Sequence, residues 1–228
     1  MRIGGLMAGA SKVTITPKGR VFLACLSRNR RSVGLHDDLW AKCLAITLGG
    51  EAIILVSLDL IGLFRDQVEL IRDEAEENGL RGESITVACT HQHSGPDTLG
   101  LWGPDMHTSG VDEGYMAYLR GRVLEAILEA VERAEEATIR LASTSIPKGV
   151  ARNTRNPGFM DPEISVMEVR TLKGDTIAVL INFGLHPEVL WSDNRLLTAD
   201  FPNYLYQALE DELGGVAIFM NGALGGMV

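Results

Sequence analysis

The chain has 228 residues, 46% of them apolar, and a formal net charge of −9. That suffices for one sizeable core. It argues against nucleic acid as the main partner, because phosphate binding needs a concentrated basic face. No apolar run approaches the ~20 residues of a membrane helix. The opening Met1–Ala10 lacks the sustained apolar centre of a signal peptide, so a cytoplasmic location is expected.

Lys12–Thr16 reads as the first strand. The basic run Arg28-Asn29-Arg30-Arg31 is short and falls in a loop, where such runs are solvated. Trp40–Leu48 and Ala52–Leu58 flank Gly49-Gly50 and predict a hairpin with a tight turn. Ile53-Ile54-Leu55-Val56 reads as buried on both faces. Phe64, Val68, Ile71 and Ala75 form one stripe of a helix that ends near Asn78-Gly79. Ser84–Thr90 is the next strand.

A longer helix follows Ser109-Gly110-Val111-Asp112, a capping-box pattern, with Tyr115, Leu119, Val123, Ile127 and Val131 as its stripe. Thr138–Ile146 is a strand. Ile164–Arg170 and Thr176–Phe183 flank Lys173-Gly174-Asp175 as a second hairpin, with Ile177–Ile181 buried on both faces. Pro202 opens a third helix that turns Leu205 and Leu209 inward, and Val216–Asn221 is the last strand. Leu99–Thr108 and Val150–Pro162 are loops. The expected fold is α/β: one domain over 1–228, a mixed β-sheet with hairpins, and helices packed on the sheet faces.

The unusual polar residues gather at the carboxyl ends of strands. His91 and His93 follow Ser84–Thr90, His186 follows Thr176–Phe183, and Asn221-Gly222-Ala223-Leu224-Gly225-Gly226 ends the strand Val216–Asn221. Open α/β sheets place their sites at such ends. Imidazole is the commonest metal ligand, and a strand-like His-x-His turns both rings to one side. The competing reading is a set of hydrogen-bonded polar residues at a strand end. Two histidines alone do not make a zinc site. His36 is either a polar contact or a turn residue, and His107 is expected to be exposed. Asp59 is a partner for a ligating histidine or a cap for the helix that follows. Arg152 and Arg155 sit in a loop that can reach the same rim. Cys89 lies two residues from His91 but alternates with Val87 in an apolar strand, so it reads as a buried thiol. Cys25, Cys43 and Cys89 lack Cys-x-x-Cys spacing and read as reduced. Neither a Gly-x-Ser-x-Gly elbow nor a Walker loop is present.

At these residues the chain resembles the N-terminal domain of the neutral/alkaline non-lysosomal ceramidase family. The blocks run in order: Gly9–Pro17, Gly34–Lys42, Val56–Asp59, Thr90-His91-Gln92-His93-Ser94-Gly95-Pro96, Asn182–Pro187, Thr198–Pro202 and Asn221–Gly226. The resemblance implies that His91 and His186 bind Zn2+ and that His93 sits beside the metal as a hydrogen-bonding or proton-handling residue. It implies that Arg155, in Asn153-Thr154-Arg155-Asn156-Pro157, contacts substrate or oxyanion. The implied reaction is hydrolysis of an amide, in an N-acyl lipid or a smaller molecule, by metal-activated water.

Two departures from the family pattern follow. Gly226 stands where an acid or amide is usual, and the chain reaches Val228 just before the family's catalytic serine position. The family's remaining ligands, an acid and a tyrosine, lie further downstream. The C-terminal remainder of the same chain is therefore an expected partner, and these 228 residues alone are expected to bind zinc weakly. Two other readings stay open: a metal-dependent ester or phosphoester hydrolase on the same scaffold, and a binding module that has lost the chemistry.

Overall fold

The computed structural model describes residues 5–228. The first half contains β1 (Met7–Thr14), β2 (Gly34–Leu35), β3 (Trp40–Leu48), β4 (Glu51–Leu58), α1 (Arg65–Glu77) and β5 (Ile85–Cys89). The second half contains α2 (Glu113–Glu132), β6 (Glu135–Ser145), β7 (Glu163–Thr171), β8 (Thr176–Phe183), β9 (Leu196–Leu197), α3 (Phe201–Leu213) and β10 (Val216–Asn221). Eight strands form one mixed sheet in the order β10-β8-β7-β6-β1-β3-β4-β5, and β2 pairs with β9 beside it. The pairs β4–β5 and β8–β10 are parallel, and the other pairs of the large sheet are antiparallel.

Both predicted hairpins form. Gly49 and Gly50 have φ of 63° and 91°, left-handed at both central positions, as a two-residue turn between twisted strands requires. The β7–β8 turn is held by Thr171 Oγ1, which accepts from Lys173 N and Asp175 N. The first strand runs from Met7 to Thr14, earlier than its apolar residues suggested, because its pairing with β3 is set by Met7↔Thr47 through Thr14↔Trp40.

Side-chain alternation sets the layers. On β1, Gly9, Ser11 and Val13 face α2. A Cβ at Gly9 would lie 2.2 Å from Ala130 O, and Ser11 Oγ donates to Ala126 O at 2.6 Å. Val13 joins Ala41, Cys43, Ile54, Val56, Leu119, Val123 and Ile127 in the main core. Ala8, Ala10 and Leu44, on the opposite face, pack with Val169, Ala178, Leu180 and Ile218 from the far half of the sheet. The sheet therefore curls until its ends meet: Ser57 Oγ on β4 donates to Phe219 O on β10. Helix α3 lays Tyr206 among Val179, Ile181 and Phe219, with Leu205 and Leu209 half-buried beside it.

Three local expectations are corrected. Ile53 is 57% exposed, so β4 is buried on both faces only from Ile54 onward. Asp112 alone caps α2, accepting from Tyr115 N, while Ser109 Oγ binds Val111 N one turn upstream. Arg30 is buried. Its guanidinium donates to the carbonyls of Ala24, His93 and Asn194, because the loop carrying it folds inward under the strand ends.

Candidate metal centre

Strand β5 ends at Cys89, and the chain then leaves the sheet. Thr90 N donates to Leu58 O and His91 N to Leu60 O, both at 2.9 Å, so this segment still tracks the end of β4. His91 has φ of 65°, in the left-handed region that an L-residue occupies at a cost. The His91 and His93 rings converge through that reversal rather than by strand alternation. Gln92 completes the turn. It is fully buried, with Nε2 donating to Asp59 O at 3.0 Å and Oε1 accepting from Ser94 N at 2.6 Å.

His186 arrives from β8 through Gly184 and Leu185. Its Nδ1 lies 2.7 Å from Met227 O, and His91 Nδ1 lies 2.8 Å from Ile61 O. A carbonyl oxygen only accepts, so both Nδ1 atoms carry a proton, and Nε2 is the atom of each ring left to offer a lone pair. His93 N donates to Pro187 O at 3.2 Å and ties the two histidine loops directly. The three rings form a nearly equilateral triangle, with centroids 5.3, 5.3 and 5.4 Å apart. One ring nitrogen from each can be chosen so that all three lie within 4.8 Å of one another.

The donor set suits a transition metal. Burial lowers the His91 pKa, opposed by its bond to Ile61. Burial, reinforced by His91, His186 and Arg30, takes His93 down to about 3. Both rings are therefore neutral near pH 7, the form that binds metals. Imidazole nitrogens favour zinc, copper, iron or nickel over calcium or magnesium. His93 is buried and neither of its ring nitrogens has a hydrogen-bond partner. Glu188 Oε2 stands 2.8 Å from its Nδ1, but out of line with a ring N–H, so the contact is not a hydrogen bond. A buried neutral ring in that position leaves one N–H and one lone pair unpartnered, and the lone pair is free to bind a metal.

The surroundings are strained in the same place. Among the described residues, Cys25, Leu26, Asn29, His91, Trp191 and Asp200 are the non-glycine positions with left-handed φ. The loop of Cys25–Asn29 is bonded to Gly95 and Gly103 through Ala24 N and Asn29 N. The Asp200 carboxylate accepts from Val189 N and Leu190 N, next to Glu188, and Trp191 N donates to Glu188 O. Such outliers cluster where function over-determines the backbone.

The remaining candidates scatter. Arg155 is exposed on its loop, with Cβ and Cγ packed over Gly226, next to the Met227 whose carbonyl holds His186. Arg152 is exposed and pairs with Val228 through backbone bonds. His36 and His107 are exposed. Asp59 is buried and accepts from Trp40 N and Tyr206 Oη, both at 3.0 Å; its backbone carbonyl, not its carboxylate, supports the histidine turn. Burial pushes the Cys89 thiol up to about 12, so it is no thiolate nucleophile at neutral pH. Glu188, Gln92 and Arg30 were not singled out from the sequence. Glu188, two residues after His186, was the one within reach of a spacing argument.

No protein-family model matches the chain. Solved structures do. A neutral ceramidase from Pseudomonas aeruginosa superposes with a TM-score of 0.88 and 22% identity, over 98% of this chain and 39% of that one. The fold is that of a part of ceramidase. A ceramidase complexed with C2 gives 0.86 and 22%, over 98% of this chain and 38% of the other. The chain thus spans about two-fifths of the length of these ceramidase structures and carries a three-histidine group able to hold a metal. No helix among the described residues is long and apolar enough to cross a membrane.

Proposed function

We propose that this protein is a zinc-dependent hydrolase that cleaves an amide bond, with an N-acyl lipid of the ceramide type as the substrate class. The observation that carries the reading is the convergence of His91, His93 and His186 at the strand ends of a ceramidase fold. Three imidazoles would hold zinc and leave a position open, the arrangement that catalytic rather than structural zinc requires. Bound there, zinc supplies Lewis acidity toward the scissile carbonyl and acidifies water.

The chain's own residues supply the rest. Ile61 O and Met227 O fix the His91 and His186 rings by holding Nδ1, so neither ring has to reorient on loading. His93 stands equal to the other two in the triangle, and this favours a third donor over a separate proton-handling role. Glu188 lies against His93 as the nearest carboxylate, raised in pKa by burial and by Asp200. Arg155, exposed with its stem beside Gly226, is the cation proposed to take the polar or anionic part of a substrate. The C-terminal remainder of a longer chain is the partner proposed to complete the site.

The test is a substrate panel of matched N-acyl amide, ester and phosphoester reporters. Amide turnover that a chelator abolishes and zinc restores, and that His91→Ala removes without unfolding the protein, is the expected result. Metal-dependent turnover of the ester or phosphoester alone would refute the amide assignment.

A further inference from the structure

His91 and His186 belong to opposite ends of the sheet. His91 follows β5, the edge strand at one end, and His186 follows β8, next to the edge strand β10 at the other. The hydrogen-bond ladder between them runs through six strand pairs, and small changes of twist along it would accumulate. The 5.3 Å between their ring centroids must be set where the curled sheet closes. One side chain spans that closure beside both ligands. Asn221 Nδ2 donates to Thr90 O and to Leu185 O, each at 2.8 Å, and its Oδ1 accepts from Leu185 N at 3.1 Å. Thr90 immediately precedes His91, and Leu185 immediately precedes His186.

We propose that Asn221 is a positioning residue that sets the His91–His186 spacing, by clamping the backbone ahead of each histidine across the closure of the sheet. This rests on the metal-centre reading. An amide suits the task, because its two N–H groups meet two carbonyls while its oxygen meets an N–H. Aspartate, of the same shape, would face both carbonyls with acceptors. Two other ties cross the closure, His93 N to Pro187 O beyond the histidines and Ser57 Oγ to Phe219 O two residues before Asn221, and neither touches the residue ahead of a histidine.

Asn182 provides the control. Its Nδ2 donates to Met220 O at 2.7 Å, a bond of similar quality that links β8 to β10 without reaching β5. Zinc affinity, by competition with a chromogenic chelator, and the visible spectrum of the cobalt(II) form would be read on the unchanged protein, Asn221→Ala and Asn182→Ala. Asn221→Ala should fold, bind zinc about tenfold or more weakly, and shift the cobalt bands. Asn182→Ala should lose stability to a similar degree and leave both readings in place. Equal effects of the two substitutions, or a folded Asn221→Ala with unchanged affinity and spectrum, would overturn the clamp.

Should Asn221→Ala fail to fold, Asn221→Ser, which can hold one carbonyl at most, carries the same expectation. In the unchanged protein the amide signals of Thr90 and Leu185 should also shift together on zinc addition, and a silent pair would overturn the proposal. If the unchanged protein binds neither metal, the metal reading fails separately. The clamp is then judged by the imidazole nitrogen signals of His91 and His186, which Asn221→Ala must move and Asn182→Ala must not.

Discussion

Gly95 lies directly against the Gln92 side chain, and its missing Cβ is what lets Gln92 occupy its buried place in the turn. A Cβ at Gly95 would lie 1.8 Å from Gln92 Nε2 and 3.0 Å from its Cδ, whereas Leu39 is at an ordinary 3.4 Å. Gly95→Ala must therefore expel Gln92. The expulsion breaks the bonds to Asp59 O and Ser94 N and strands both groups in a buried environment. At about 1 kcal/mol per bond, plus the penalty of an unsatisfied buried amide, Gly95→Ala should cost roughly 2–4 kcal/mol. Gln92→Ala should cost a similar amount. The two are not additive, because once Gln92 is cut to Cβ nothing blocks the new methyl group. In the Gln92→Ala background Gly95→Ala should cost about 0.5 kcal/mol or less, giving a coupling of roughly 2 kcal/mol. Urea denaturation of the four proteins measures it. Additive losses would refute this packing of the His91-Gln92-His93 turn.

Two further outcomes follow from buried groups. Burial raises the Asp59 carboxyl to about 7, against an ordinary value near 3.8. The folded protein therefore holds this proton where the unfolded chain has released it, and stability falls as pH rises from about 4 to 7. Asp59→Asn should flatten that part of a stability–pH profile, and identical slopes in the two proteins would contradict the assignment. Burial also raises the thiols of Cys43 and Cys89. Alkylation of the native protein at pH 8 should leave both unmodified and reach them only in denaturant; rapid native labelling of Cys89 would reopen its role as a nucleophile.

The hairpins, the α2 stripe and the strand-end placement of the histidines were legible because each rests on local signals: paired glycines, a 3.6-residue period and a run of β-branched residues. The buried Arg30 was not legible, because a basic tetrapeptide reads as solvated unless the carbonyls that receive its guanidinium are known, and these come from Ala24, His93 and Asn194. The rings of His91 and His93 do meet, but not by strand alternation, and nothing local to His91 announces its left-handed backbone. Exposure of Ile53 follows from its place near the open start of β4, which composition does not reveal. The clamp at Asn221 joins residues 131 and 36 positions away, so only the closed sheet displays it.

On the proposed function, His91, His93 and His186 together hold one metal ion. X-ray absorption at the zinc edge, on protein loaded with one equivalent, tests it most directly. Outer-shell scattering from three imidazoles is expected, reduced to two in each of the variants His91→Ala, His93→Ala and His186→Ala. Sulfur in the first shell, or scattering from two imidazoles that His93→Ala leaves unchanged, would contradict it.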